Sequence, residues 1–135
     1  YKMEDKSKKI LSEISAGELL DKISILEIKL EKISDKSSLE QLKKEYQILK
    51  ENQNSTIKLE GKIEDLFKSL KNINFKLWNI EDRLRICEKN KDFGKEFIVL
   101  AREVYFNNDK RSKIKSDINK TLGSNIVEIK QYASY

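Results

Sequence analysis

The chain has 135 residues with no proline, 4 glycines and 38% charged residues, a length that fits one domain and a composition with little to stop a helix from running on. Histidine is absent and Cys87 is the lone cysteine, which excludes serine–histidine catalysis, an internal disulfide and a thiolate metal cage, so no metal or cofactor is expected. The net charge of +5 is spread along the chain among interleaved acidic residues, and no apolar run approaches the ~20 residues that cross a bilayer; with no secretion signal, the default expectation is a cytoplasmic protein.

Residues 1–14, YKMEDKSKKILSEI, show no clean period and read as a flexible or extended N-terminal arm. Ser15 and Glu18 then form a capping box ahead of an amphipathic stretch. Leu19, Ile23, Leu26, Leu30 and Ile33 make its seam, and Leu20, Ile25 and Ile28 widen that seam beyond a single stripe. A helix of this kind is covered on more than one side. It ends near residues 34–38, SDKSS, and Leu39, Leu42, Tyr46 and Leu49 resume the spacing. ENQNST, residues 51–56, competes for backbone hydrogen bonds and predicts a bend or short loop. One unbroken helix over 39–90 is the alternative.

From Leu59 through Ile63, Leu66, Leu70, Ile73, Leu77, Ile80, Leu84 and Cys87 the apolar residues alternate steps of four and three. That pattern predicts a coiled-coil-like helix of about 35 residues, roughly 50 Å long. The first helix and a second copy of the chain are its natural partners, which points to a homodimer. Asp92 is placed to cap the next helix. There Phe93, Phe97, Leu100 and Val104 form one stripe and Ile98, Ala101 and Tyr105 another, as in a central, buried helix. A break follows at Asn107–Asn108 with a restart capped by Asp109; Gly123 ends that helix, and Ser124 caps a last short turn carrying Ile126, Ile129 and Tyr132. The fold expected is all-α over residues 1–135, a long helical hairpin or coiled-coil-like core with shorter C-terminal helices packed at one end.

Phe75, Trp78 and Ile86 lie off the main seam, with Asp82 between them. A carboxylate in apolar surroundings has to be paired. All four arginines, Arg83, Arg85, Arg102 and Arg111, fall within one short span of a lysine-rich chain, and arginine offers a planar fork that lysine cannot imitate. Two readings of this cluster stand side by side. In the first, a partly buried salt-bridge network fixes how the C-terminal helices dock. In the second, the arginines grip a phosphate or carboxylate, Glu81 or Asp82 orients a guanidinium, and Asn108 and Asp109 open a helix whose backbone adds donors. Weaker candidates are the pairs Glu27/Glu31 and Glu60/Glu64 for magnesium, although lysines beside them favour surface pairing. Lys110, Arg111, Lys113 and Lys115 form the densest cationic patch, diluted by Asp109 and Asp117.

Five separated blocks in order, GELLDKISILEIK, LWNIEDRLRICE, EFIVLAREVY, NNDKRSKIKSDIN and GSNIVEIKQY, resemble an uncharacterised bacterial family known only as a domain of unknown function. The resemblance covers about residues 10–135 and is least distinctive over 39–58. Where that family often opens its first helix with Pro-Gly-Glu-Leu, this chain has Ala16 before Gly17. The family implies no catalytic residues, and its setting near glycosyltransferase- or sulfotransferase-like genes implies surface-polysaccharide work. The expectation is therefore a non-enzymatic interaction or accessory protein, with a small-anion binder or anion-acting enzyme as the alternative and a nucleic-acid binder third.

Overall fold

A computed structural model describes residues 8–135; residues 1–7 of the expected N-terminal arm lie outside the described residues, and 8–14 run without helix and largely exposed. Four helices follow: α1 (Ala16–Lys32), α2 (Lys36–Thr56), α3 (Gly61–Lys89) and α4 (Lys95–Leu122). The protein is all-α, with no strand among the described residues. α3 and α4 form a long antiparallel hairpin, and α1 lies against both of them and against α2.

Each boundary has a local cause. Ser15 opens α1 by accepting from the Glu18 amide at 3.1 Å, but the Glu18 side chain turns away from the return half of a capping box and reaches Lys115 at 2.7 Å. Asp35 opens α2, accepting from the Ser38 amide and hydroxyl at 2.8 Å each, and these bonds hold its carboxyl below the ordinary value. The polar run 51–56 stays helical, and the break comes just after it, at Ile57–Glu60. Buried Gln53 closes that end by donating to the Ile57 carbonyl at 2.8 Å, and Gly61 turns the chain with φ +56°. Residues 39–90 are thus two helices.

The expected restart at Asn107–Asn108 does not occur. α4 is a single 28-residue helix, nearly as long as the 29 residues of α3, so the C-terminal partner is one long helix in place of shorter ones. Asn107 faces inward and gives its amide to the Glu103 carbonyl within the helix at 2.7 Å, which leaves the backbone ladder intact. Asp92 caps nothing; it accepts from the Gly94 amide in the α3–α4 loop at 3.1 Å, and Gly94 is the first cap position. Gly123 ends α4 as expected, left-handed at φ 61° and ψ 45°, with the Ser124 amide returned to the Asn119 carbonyl at 2.9 Å. Residues 124–135 form no last helical turn but run back along α4. Glu128 meets Lys115 there at 3.1 Å, and Tyr135 packs edge-on against Tyr105 and Phe106.

Two apolar clusters result. The larger joins Leu19, Leu20 and Ile23 of α1 to Ile57, Ile63, Leu70 and Ile118. The smaller, Ile80, Cys87 and Leu100 with Leu84, Phe97 and Val104 around it, lies between α3 and α4 alone. α1 stops at Lys32, whose ammonium rests 4.8 Å above the Phe75 ring. Beyond that point the hairpin is a two-helix arm, with only the end of the C-terminal segment, Tyr135 on Tyr105 and Phe106, laid against its outer side.

Candidate functional site

The two clusters are separated by a polar layer, and its centre is Asp21. This carboxylate is 1% exposed, a burial that demands pairing. Arg111 supplies it: Nε donates to Oδ1 at 2.9 Å and Nη2 to Oδ2, a two-pronged grip from α4 onto α1. The Asn74 amide on α3 donates to Asp21 Oδ1 and to Ser24 Oγ, both at 2.8 Å, while the Ser24 hydroxyl donates to the Asp21 carbonyl. Lys115, 7% exposed, stands 3.7 Å from the same carboxylate and bonds Glu18 and Glu128. Burial pushes the Asp21 carboxyl up, yet the bonds from Arg111 and Asn74 and the charges of Arg111 and Lys115 more than reverse it, leaving it below its ordinary value. The bond to Asp21 in turn holds the Arg111 guanidinium more firmly protonated.

A glycine lets α1 sit this close. A Cβ on Gly17 would fall 2.6 Å from the Lys115 carbonyl oxygen, so only a bare α-carbon fits. Its amide donates to Asn119 Oδ1 at 2.7 Å, and the Ala16 amide donates to Ser124 Oγ at 3.1 Å. These are two of the unpartnered donors at a helix start, here satisfied by α4 and the segment after it.

Beside the layer lies an open cleft of about 510 Å³ between α1, α3 and α4. Ile25, Ile28 and Leu77 give it an apolar floor, Trp78 an aromatic wall, and Lys29, Asn74, Glu81, Asp82, Arg85, Asn108 and Arg111 a polar rim. The structure therefore brings together Glu81, Asp82, Arg85, Asn108 and Arg111 of the expected site and leaves three members elsewhere. Arg83 turns to Glu96 at the far end of the hairpin, 2.7 Å away and exposed. Arg102 lies over the Phe106 ring, 5.7 Å from its centre. Asp109 accepts from the Tyr135 hydroxyl on another face. Because α4 does not restart, Asn108 and Asp109 sit in mid-helix, and no helix-start amides are available there.

The role expected of Asp82 belongs to Asp21. Asp82 is exposed, and makes no ion pair or hydrogen bond among the described residues, because α1 ends before it can cover that face of α3. The second stripe shares this fate: Ile86 is 57% exposed and Phe75 is exposed as well. Arg85 pairs with Glu81 on its own helix at 2.6 Å, well in solvent. Three of the four glutamates weighed for magnesium hold lysines: Glu27 and Glu31 share Lys71 at 3.1 and 3.4 Å, and Glu64 meets Lys68 at 3.3 Å. Sequence reasoning missed Asp21, Ser24 and Asn74, and gave Lys115 only a place in the cationic patch. A signal was present, since Asp21 and Ser24 lie three apart on the very helix whose seam is too wide for one-sided cover.

Fold and site together define an all-α protein in which a short helix is pinned across a long helical hairpin by a buried aspartate–arginine pair beside an open cleft. The chain belongs to a family of unknown function (DUF6165), whose model matches residues 10–135. No curated protein and no solved structure matches it. No helix among the described residues is long and apolar enough to cross a membrane.

Proposed function

We propose that the protein is a non-enzymatic interaction module that works as a homodimer, joined along the outer face of α4 in the distal arm. One observation carries the reading. Ile98 is 54% and Val99 46% exposed, on the side of α4 that faces away from α3, and beside them Tyr105 and Phe106 stay exposed even with Tyr135 against them. The sequence supplies apolar residues all round this helix, as for a central one, and a single chain covers only half of them. A second copy is the occupant that fits best. Two such arms give the layered packing a helical pair lacks alone, and a two-fold interface needs only one patch that complements itself. The arginines suited to anion chemistry are largely taken by Asp21, Glu81 and Glu96. Two cations of the basic patch, Arg111 and Lys115, turn inward, which weakens the nucleic-acid reading. The family resemblance adds the setting, an accessory role in surface-glycan assembly.

Light scattering on the eluting protein tests the dimer. The expected result is twice the 15.9 kDa chain mass, falling to one chain in Phe106→Glu with helicity retained. A wild-type protein still monomeric at about 100 µM, where a dimer of micromolar dissociation constant would be almost fully formed, would remove the proposal.

A further inference from the structure

We infer that the cleft between α1, α3 and α4 is a binding site for a small organic anion, one carboxylate or phosphate carried on a planar or apolar body. Its volume of about 510 Å³ falls in the range of small-molecule sites, and it has their usual make-up, an apolar floor with a few convergent polar groups. Arg111 is the anchor. Asp21 fixes two of its nitrogens, Nε and Nη2, from below, which holds the guanidinium in one orientation before any ligand arrives. The third nitrogen, Nη1, has only the Asn108 side-chain oxygen at 3.5 Å, the outer limit of a hydrogen bond. A strong donor thus remains at the rim of the cleft with almost nothing to donate to. Lys29, half-buried on the α1 wall, has no ion pair among the described residues. Arg85 is paired with Glu81 and Arg111 with Asp21, so the attraction for an anion rests on the unpaired Lys29 ammonium and the spare Nη1 donor. An oxyanion bound between Arg111 Nη1 and the Lys29 ammonium would lay its apolar body on Trp78 and Leu77. Asp82, unpaired at the opposite rim, would accept from a hydroxyl or amino group on the ligand's far end. The arginine is rigid, the lysine mobile, and the two differ in role accordingly.

The experiment uses the protein's single tryptophan, which lines the cleft, as its reporter. The full-length protein is titrated with phenyl phosphate, benzoate, inorganic phosphate and neutral benzamide while Trp78 fluorescence is followed. A saturable change with phenyl phosphate or benzoate, absent with benzamide, is the expected result, and the better of the two names the anion. Lys29→Ala, which removes a side chain without partners and should leave melting unchanged, is expected to weaken binding about tenfold, as loss of a charge-assisted bond does. Arg111→Lys keeps a cation against Asp21 and loses the Nη1 donor; it too should bind at least about tenfold more weakly. No saturable change with either aromatic anion at millimolar concentration overturns the site. So does a response that benzamide reproduces, which marks a merely apolar crevice, or one that Lys29→Ala leaves intact. The outcome is independent of the dimer, since the cleft and the outer face of α4 lie on different sides of the arm.

Discussion

The same two long helices run through two regions that differ in how much they bury. Near their paired Gly61 and Leu122 ends, α3 and α4 carry α1 across them, and seven apolar residues close into one core. In the distal arm no other helix covers the hairpin, and only three apolar residues close into a core. Composition does not account for the difference, because apolar residues are at least as dense in 97–106 as in 110–118. What differs is cover. α1 ends at Lys32, and every side chain past that point must find a partner elsewhere or face water. The charged pairs follow the same division. Arg111–Asp21 and Lys115–Glu18 are enclosed where α1 lies, while Arg83–Glu96 and Arg85–Glu81 stand in solvent beyond it.

That contrast is sharpest in mutations of matched chemistry. Arg111→Met strands the buried Asp21 carboxylate and is expected to lower unfolding free energy by about 3–5 kcal/mol in urea titrations. Arg85→Met and Arg83→Met, each removing an exposed pair, should stay within about 0.5 kcal/mol. Equal losses in the two regions would erase the distinction drawn here. Gly17→Ala comes next. Alanine gains about 1 kcal/mol of helix propensity, but its methyl meets the Lys115 carbonyl, a backbone atom that cannot swing aside. A net loss of about 1–3 kcal/mol is expected, as for overpacking, and a stabilised variant would show that α1 can shift away from α4.

Acid should act through the covered region. Asp21 titrates below its ordinary 3.8 in the folded protein, so the unfolded chain binds the proton first as pH falls. Its stabilisation is complete above pH 3.8 and disappears as pH drops through the lowered folded value. Urea midpoints of wild type and Asp21→Asn should therefore converge toward the acid end of that window and separate above it. A constant gap across it would mean that the carboxylate's charge contributes nothing.

Sequence reading recovered the regions unequally for the same reason. Periodicity reports which face of a helix is apolar, so the α3 seam through Ile63, Leu70, Ile80 and Cys87 was legible, as were Ser15 and Gly123 at helix ends. It does not report where the covering helix stops. Asp82 and Asp21 both interrupt apolar surroundings in the sequence; Asp21 is buried because α1 packs it against Asn74 and Arg111, and Asp82 is exposed because α1 stops short of it. Asn107–Asn108 misled in a related way. Asparagine side chains that bond nearby backbone often end a helix, but the buried Asn107 amide bonds the Glu103 carbonyl one turn back, a bond that the continuing helix accommodates. The cleft was half visible, because the arginine cluster was real in sequence while its anchor came from a helix 90 residues away.

The smallest effect separates the two ends of the hairpin itself. α4 ends on Gly123, which takes the left-handed conformation without a Cβ to crowd. α3 makes nearly the same turn at Lys91, with φ 53°, the Lys91 amide returned to the Glu88 carbonyl at 3.1 Å and the Asp92 amide to that of Cys87 at 2.9 Å. A lysine there holds a conformation that costs an L-residue about 1 kcal/mol or more. Glycine removes that strain but gains freedom in the unfolded chain, which offsets part of the benefit. Lys91→Gly is thus expected to raise stability by about 0.5 kcal/mol, and Gly123→Ala to lower it by about 1 kcal/mol, both read from urea midpoints at constant slope. A loss in Lys91→Gly would mean that the lysine side chain contributes more to the tip of the arm than its backbone strain removes, and the tip would then be better held than its exposure suggests.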